Sequence, residues 1–183
     1  LIGLILLTRA GAGASRVPHY AAGATAMAAL VFSLAAGTPD IREQTSGVFR
    51  HGSVAVNERN DVVYLRDGKT ATISVKTSDN KRYGAIATNG KTDASLAISA
   101  VDAPGADEIT MLMLGALPLA LHSDPQRIAA IGWGSGLTTH TILGGDRPNL
   151  VETIEIEPAI VDGARLFGER VQRAYADPRS KLI

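Results

Sequence analysis

The chain has 183 residues, 45% hydrophobic and 20% charged, which is enough for one domain of ordinary size or a small domain with an appendage. Its 18 basic and 18 acidic side chains give a formal net charge of zero, which argues against a nucleic-acid-binding protein and against an acidic disordered chain. The sequence contains no cysteine, so it offers no disulfide, thiolate zinc site or cysteine nucleophile, and its four histidines are too far apart to predict a metal cluster.

The N-terminal part of the chain is its most apolar part. Residues 1–7 are all apolar or glycine, and residues 20–37 contain no charged side chain, close to the lower length limit of a membrane-spanning helix. We therefore predict membrane-spanning segments over residues 1–37, with a buried helix of a soluble domain as the alternative. Because the chain begins without methionine and stops where a strand begins, we expect it to be a piece of a longer protein.

Residues 38–100 divide into a polar part and a β-rich part. Residues 38–61 are polar and contain Pro39, Gly47 and Gly52, which predicts a linker. Residues 62–100 hold β-rich runs separated by Asp67-Gly68 and Asn89-Gly90, pairs that favour hairpin turns. They predict an N-terminal β domain, an antiparallel meander of three or four strands. Taken alone, such a meander indicates a structural role, as a lid or as the contact of a homo-oligomer.

Residues 101–183 predict an α/β domain. An apolar helix over residues 107–122 contains Pro118, which should kink or end it. A short strand, a glycine-rich loop, a helix, a second strand, a second helix from Pro158 and a third strand at Lys181 then follow. This β-α-β-α-β order implies a parallel sheet, the first half of a Rossmann-like nucleoside-binding domain cut short at its C-terminus.

The glycine loop, residues 132–136, carries the chemistry. Its G-x-G-x-G sequence follows a strand directly, so its backbone N–H groups lie at a helix N-terminus, where a ligand can approach closely. Glu155 ends the next strand, where a carboxylate can accept two hydrogen bonds from a ribose diol. The glycine spacing departs from that of NAD-binding proteins and is closer to the loop that binds S-adenosylmethionine. Trp133, inside the loop, either stacks on the adenine or covers the edge of the sheet.

Residues 83–183 resemble the first part of a spermidine synthase, an aminopropyltransferase of polyamine biosynthesis with a methyltransferase-type fold. The matching segments are Asn89-Gly90, Asp107-Glu108, LALHSDP (119–125), IAAIGWGSG (128–136), IEIEP (154–158) and Asp177-Pro178-Arg179. The apolar N-terminus resembles bacterial proteins in which a multi-pass membrane region is fused to a spermidine synthase-like domain.

The resemblance implies a role for individual residues. The nucleoside would be bound by residues of the glycine loop and of the second strand, with Asp93 at the position of the family's substrate-binding glutamine; these are Gly132, Gly134, Ser135, Gly136, Glu155, Ile156 and Asp93. Departures from the family pattern affect the amine half of the site. Ser135 replaces an aspartate, and Met111 and Leu112 replace a tyrosine and a histidine. The family's catalytic aspartate is expected beyond Ile183, so no catalytic residue is assigned within the chain.

The resemblance also implies an activity and a location. Decarboxylated S-adenosylmethionine, or S-adenosylmethionine itself, would be the co-substrate, with no metal, and a small amine such as putrescine would be the acceptor. The alternatives are an S-adenosylmethionine-dependent methyltransferase and a non-catalytic nucleoside-binding domain of a membrane transporter-like protein. The expected location is the inner (plasma) membrane with the soluble domain facing the cytoplasm. The expected partners are the membrane and a second copy bound through the β domain, but not nucleic acid.

Overall fold

The computed structural model of the protein describes residues 17–38, 40–54, 60–78 and 80–183. Contacts divide the chain into two compact units, residues 1–39 and Asp40–Ile183. The described part of the first unit is one helix, α1 (Val17–Ala35). The second unit contains both β-sheets and every predicted site residue.

The predicted membrane-spanning segment over residues 1–37 is not supported. Across the described parts of the chain, no helix combines the length and the hydropathy that crossing a bilayer requires. α1 carries no charged side chain, but nine of its 19 residues are alanine, glycine or threonine, which contribute little transfer free energy in hydrocarbon. The apolar run at residues 1–7 lies outside the described residues.

The second unit begins with two one-turn helices, α2 (Ile41–Gln44) and α3 (Val48–His51), in the segment predicted to be a linker. Four antiparallel strands follow in sequential order: β1 (Asp61–Asp67), β2 (Thr72–Ser78), β3 (Tyr83–Thr88) and β4 (Lys91–Ala97). The predicted meander is therefore confirmed. Asn89 and Gly90 both have positive φ, 48° and 79°, as the tight turn of a hairpin requires.

The second sheet is the predicted parallel sheet. Helix α4 (Ala106–Leu121) leads to β5 (Arg127–Ile131), α5 (Leu137–Ile142) and β6 (Leu150–Ile154). After β6 come α6 (Pro158–Ala164), a 3₁₀ segment (Arg165–Val171), α7 (Gln172–Ala176) and β7 (Ser180–Leu182). The strands pair in parallel in the order β5-β6-β7, so the carboxyl ends of β5 and β6 meet at one edge.

Two details of the helices differ from the sequence prediction. α4 continues for three residues past Pro118, which lies in its last turn. The region after Pro158 is not one helix, because Gly168 adopts φ 56° and ψ −128° and interrupts it. The apolar side chains predicted to face the core are nevertheless buried there, apart from the half-buried Ile160; they are Ala164, Phe167, Val171 and Ala174.

One core cluster joins the antiparallel sheet to the glycine loop and to the helices that follow β6, and a second, smaller cluster of Ile142, Leu143 and Val151 lies against the parallel sheet. The inner face of the antiparallel sheet supplies Ile73, Val75, Ile86 and Leu96, and the helices that follow β6 pack against it. Gly84 of β3 lies directly under Phe167, so closely that a Cβ there would come within 2.7 Å of the ring. The β meander is thus a wall of the same core that supports the glycine loop.

Candidate functional site

The glycine loop connects the carboxyl end of β5 to the start of α5. Gly132, Gly134 and Gly136 all have positive φ, at 86°, 55° and 83°, a conformation that costs any other residue about 1–2 kcal/mol. A Cβ on Gly132 would meet nothing within 4 Å, so the backbone is open to a ligand there. Gly136 is buried, and a Cβ on it would lie 3.0 Å from the indole nitrogen of Trp133. The missing side chain at Gly132 therefore leaves space for a ligand, and the missing side chain at Gly136 leaves space for the Trp133 indole.

Glu155 lies at the end of β6, next to this loop, as the spacing predicted. Its Oε2 accepts a hydrogen bond from the Trp133 N–H at 2.8 Å, and its Oε1 accepts one from the Glu157 N–H at 2.8 Å. The Gly132 N–H donates to the Ile154 carbonyl at 2.9 Å, which extends the pairing of the two strands into the loop. The side chain is only partly buried, so its carboxylate is both fixed in direction and open to a ligand.

Trp133 faces the protein interior. The side chain is 5% exposed, and its Nε1–H donates to the Tyr175 hydroxyl at 3.2 Å. The two ring centroids are 4.9 Å apart with the planes at 58°, a tilted aromatic pair. Of the two roles predicted for Trp133, stacking on the adenine does not fit the buried indole, which packs against Tyr175. The sequence around Trp133 could not predict this aromatic pair, because Tyr175 is 42 residues away.

Ser135 is completely buried, and its surroundings are neutral. Its hydroxyl donates to the Met111 sulfur at 3.1 Å and accepts from the Leu137 N–H at 3.3 Å. Thr138 donates to the Met111 carbonyl at 3.3 Å, which fixes α4 against α5. Two positions at which the sequence departs from the family pattern, Ser135 and Met111, are therefore in contact, and together they form an uncharged patch under the loop.

Asp93 and Ile156 lie at the margin of the site. The register of β3 and β4 shifts at Asp93, which makes it the extra residue of a β-bulge; bulges often redirect side chains near functional sites. Its carboxylate pairs with Lys91 at 3.3 Å. The neighbouring Ala94 lies 4.0 Å from the position of a Cβ on Gly134, so β4 packs against the loop. Ile156, directly after Glu155, is 75% exposed.

Glu157 is a buried carboxylate that sequence reasoning did not assign. It caps α6 by accepting from the Ala159 N–H at 3.1 Å, and its other oxygen accepts from the N–H and hydroxyl of Thr70 at 2.7 and 2.9 Å. The hydrogen bond from the Thr70 backbone is the main cause that lowers the pKa of this carboxyl. A glutamate directly before Pro158 at the first helical position was the available signal for a cap.

Another cavity lies away from the predicted site. It measures about 850 Å³ and is lined by His140, Asp146, Arg173 and Arg179, among others, and by none of the predicted site residues. His140 contacts the Arg173 guanidinium at 2.8 Å, and burial together with that positive charge lowers the pKa of the imidazole. Arg179 is already bound to Asp177 and to the carbonyls of Leu143, Gly145 and Pro148.

Comparison with known proteins gives one consistent group of relatives. No protein-family profile matches the chain. Curated relatives include the polyamine aminopropyltransferases of Thermotoga petrophila, Thermotoga neapolitana and Thermotoga maritima, each 27% identical over 71 residues. The matched region is 39% of this chain and 24% of each relative. The resemblance to the aminopropyltransferases that the sequence motifs predicted is thus confirmed.

Solved structures agree on the fold. A spermidine synthase in complex with the transition-state analogue AdoDATO and the spermidine synthase from Thermotoga maritima each superpose with a TM-score of 0.56 at 21% identity. The superposition covers 67% of this chain and 39% and 40% of those two chains. The chain therefore shares the fold of part of a spermidine synthase. Because it matches well under half of its relatives' length, activity, substrates and partners are questions for proposal and experiment.

Proposed function

We propose that this chain carries the nucleoside-binding half of an aminopropyltransferase of polyamine biosynthesis. The enzyme would transfer an aminopropyl group from decarboxylated S-adenosylmethionine to an amine such as putrescine. The observation that carries the proposal is the Glu155 carboxylate, hydrogen-bonded to the glycine loop where β5 and β6 end. In open α/β sheets, ligands bind at the carboxyl ends of the strands. The names of the curated relatives support this reaction over others.

The described residues leave room for a ribose on Glu155. A carboxylate offers about four lone-pair sites, and backbone N–H groups occupy one on each oxygen. The remaining sites can accept hydrogen bonds from the two ribose hydroxyls. The open backbone at Gly132 lets the nucleoside approach the loop without meeting a side chain. The positions of both oxygens are set before the ligand arrives, which lowers the entropic cost of binding.

The proposed reaction is a direct displacement. The lone pair of a neutral amine attacks the propyl carbon bonded to the sulfonium, a C–N bond forms, and the C–S bond breaks. Its electron pair returns to sulfur, which gives methylthioadenosine, and the attacking nitrogen then loses a proton to a carboxylate. Much of the protein's contribution is to hold the two reactants in line. Asp93, on the strand beside the loop, is our candidate for attracting the cationic amine.

Methyl transfer is the second candidate, because Ser135 leaves the loop without a charge that would select against intact S-adenosylmethionine. An aspartate at this position would repel the carboxylate of intact S-adenosylmethionine and attract the amine of the decarboxylated form. Ser135 is instead neutral, completely buried and bonded to Met111, so the loop does not select between the two forms by charge. A cytoplasmic location is part of both proposals, because sulfonium nucleosides are cytosolic.

The deciding experiment is calorimetric titration of the full chain with decarboxylated S-adenosylmethionine, S-adenosylmethionine and methylthioadenosine. Tighter binding of the decarboxylated form and of methylthioadenosine than of S-adenosylmethionine is the result expected for aminopropyl transfer. Tighter binding of the intact form would replace that function with methyl transfer. Binding of none of the three would overturn both and leave a loop without a nucleoside.

Two glutamine variants of strand β6 test the role of the acid. We expect Glu155→Gln to weaken methylthioadenosine binding by about ten- to hundredfold, since hydrogen bonds to a charged acceptor contribute roughly 1.5–3 kcal/mol. Glu152→Gln is the matched control, because Glu152 lies on β6, three residues before Glu155, and pairs with Arg127 at 3.6 Å. Equal affinities for the two variants would contradict the assignment of Glu155 to the ribose.

A further inference from the structure

Tyr175 makes three contacts that hold its ring and its hydroxyl in place. The hydroxyl donates to the Val161 carbonyl of α6 at 2.7 Å and accepts from Trp133 Nε1–H at 3.2 Å. The Arg165 guanidinium carbon lies 4.3 Å from the ring centroid, a cation–π contact. Burial raises the pKa of the phenol to about 12, so the hydroxyl stays protonated and can donate and accept at once.

Trp133 links Tyr175 to Glu155, the carboxylate proposed to bind the ribose. The side chain of Trp133 is bound to Tyr175, and the backbone N–H of the same residue donates to Glu155 Oε2. A rotation of the indole would therefore move the peptide that fixes Glu155. Gly136 closes the other side of the indole, because its missing Cβ is what leaves the ring its space.

We propose that Tyr175 is a positioning residue of the nucleoside site, which acts through Trp133 on the glycine loop and on Glu155. This inference rests on the proposed nucleoside binding. It assigns a role in ligand affinity to a side chain on α7 that touches neither the loop backbone nor the acid. The tyrosine hydroxyl anchors the indole, the indole fixes the loop peptide, and the loop peptide orients the carboxylate.

The matched pair Tyr175→Phe and Tyr64→Phe tests this in the full chain. Both tyrosines donate to carbonyls of α6, Tyr64 to Ala159 at 3.1 Å, but only Tyr175 also accepts from Trp133. We expect similar decreases in melting temperature for the two variants. Methylthioadenosine affinity, measured by calorimetry, should decrease roughly three- to tenfold for Tyr175→Phe alone, the effect of one neutral hydrogen bond.

A second variant and a spectroscopic signal separate positioning from general destabilisation. Trp133→Phe removes the donor, so it should weaken binding to the same extent, and the double variant should bind no more weakly than either single one. Trp133 is the one tryptophan of this sequence, and its emission should move to longer wavelength in Tyr175→Phe but not in Tyr64→Phe.

The possible outcomes distinguish the positioning role from the proposed function. Unchanged affinity in Tyr175→Phe, an equal loss in Tyr64→Phe, or additive losses in the double variant would overturn the positioning role and leave the proposed function standing. Failure of the unsubstituted chain to bind methylthioadenosine would overturn the proposed function, and the positioning role with it.

Discussion

Two glycines of the loop share a backbone conformation but not their surroundings. Gly132 and Gly136 have φ of 86° and 83°, yet only a Cβ on Gly136 would approach the Trp133 indole, at 3.0 Å. We expect Gly132→Ala to lower the free energy of unfolding by about 1 kcal/mol, from backbone strain alone. Gly136→Ala should lower it by about 2–3 kcal/mol, because it also displaces a buried ring. Urea unfolding of the two variants measures the difference, and equal losses would mean that the indole moves freely.

At the scale of single residues, the sequence predicted what depends on local spacing. The glycine loop and Glu155 could be located because a strand, a glycine run and a terminal acid follow one another in a fixed order. The interior position of Trp133 could not be predicted, since it depends on Tyr175, far along the chain. The contact between Ser135 and Met111 escaped prediction for the same reason, although each had been identified as a departure from the family pattern.

At the scale of elements, a buried ion pair holds α4 to the rest of the unit. Glu108 is 1% exposed, accepts from the Ala97 N–H at 2.8 Å and pairs with Arg170 of the 3₁₀ segment. Arg170 also donates to the Ala97 carbonyl at 3.2 Å. The Glu108 carboxylate, the Arg170 guanidinium and the backbone N–H and C=O of Ala97 thus satisfy one another, and the loss of Arg170 leaves the buried carboxylate without its charge partner.

Removing one partner of this pair should be costly. We expect Arg170→Met to lower the free energy of unfolding by about 3 kcal/mol, and adding Glu108→Leu to cost less than the sum of the single changes. Arg66→Met is the control, since Arg66 pairs with Asp162 at 2.7 Å on the surface, where solvent screens the pair and its loss should cost much less. Chemical denaturation of the parent chain, of Arg170→Met, of Glu108→Leu and of the double variant provides the cycle, with Arg66→Met measured beside them. Additive losses would show that Glu108 and Arg170 do not depend on each other.

The order of the elements was predictable, but their continuity was not. The hairpin pairs and the alternation of strands and helices fixed the two sheets. The helix after Pro158 was predicted from a stripe of apolar side chains. Those side chains are buried as expected, but Gly168 interrupts the helix between them. Pro118 was expected to kink or end α4. Pro118 lies in the last turn of α4. The carbonyl one turn earlier has no N–H donor from proline, and near the exposed end of the helix water can donate to it instead.

At the scale of the whole second unit, a few polar contacts join the antiparallel sheet to the helices that follow the parallel one. The turn between β1 and β2 binds Glu157 through Thr70, and Tyr64 of β1 binds the Ala159 carbonyl. Gly68 is needed in that turn, because a Cβ on it would lie 2.1 Å from Glu157 Oε1. The sequence could not predict this contact. Asp67-Gly68 is explained locally as a hairpin turn and Glu157 as the cap of α6, so nothing in either segment points to the other.

Protonation of Glu157 should weaken the contact between the β1–β2 turn and α6, so the unit should lose stability in acid. Its pKa is below the ordinary 4.5 in the folded protein, because the Thr70 and Ala159 N–H groups bond the charged form. A lowered folded pKa stabilises the fold above the unfolded pKa, and this contribution decreases from about pH 5 until the pH passes the folded value. Thermal unfolding between pH 7 and 3 should therefore show a shallower acid decrease for Glu157→Gln, with lower stability at pH 7. Asp162→Asn, which removes an exposed carboxylate near the same contact, should keep the parent's slope, and equal slopes for all three proteins would refute the assignment.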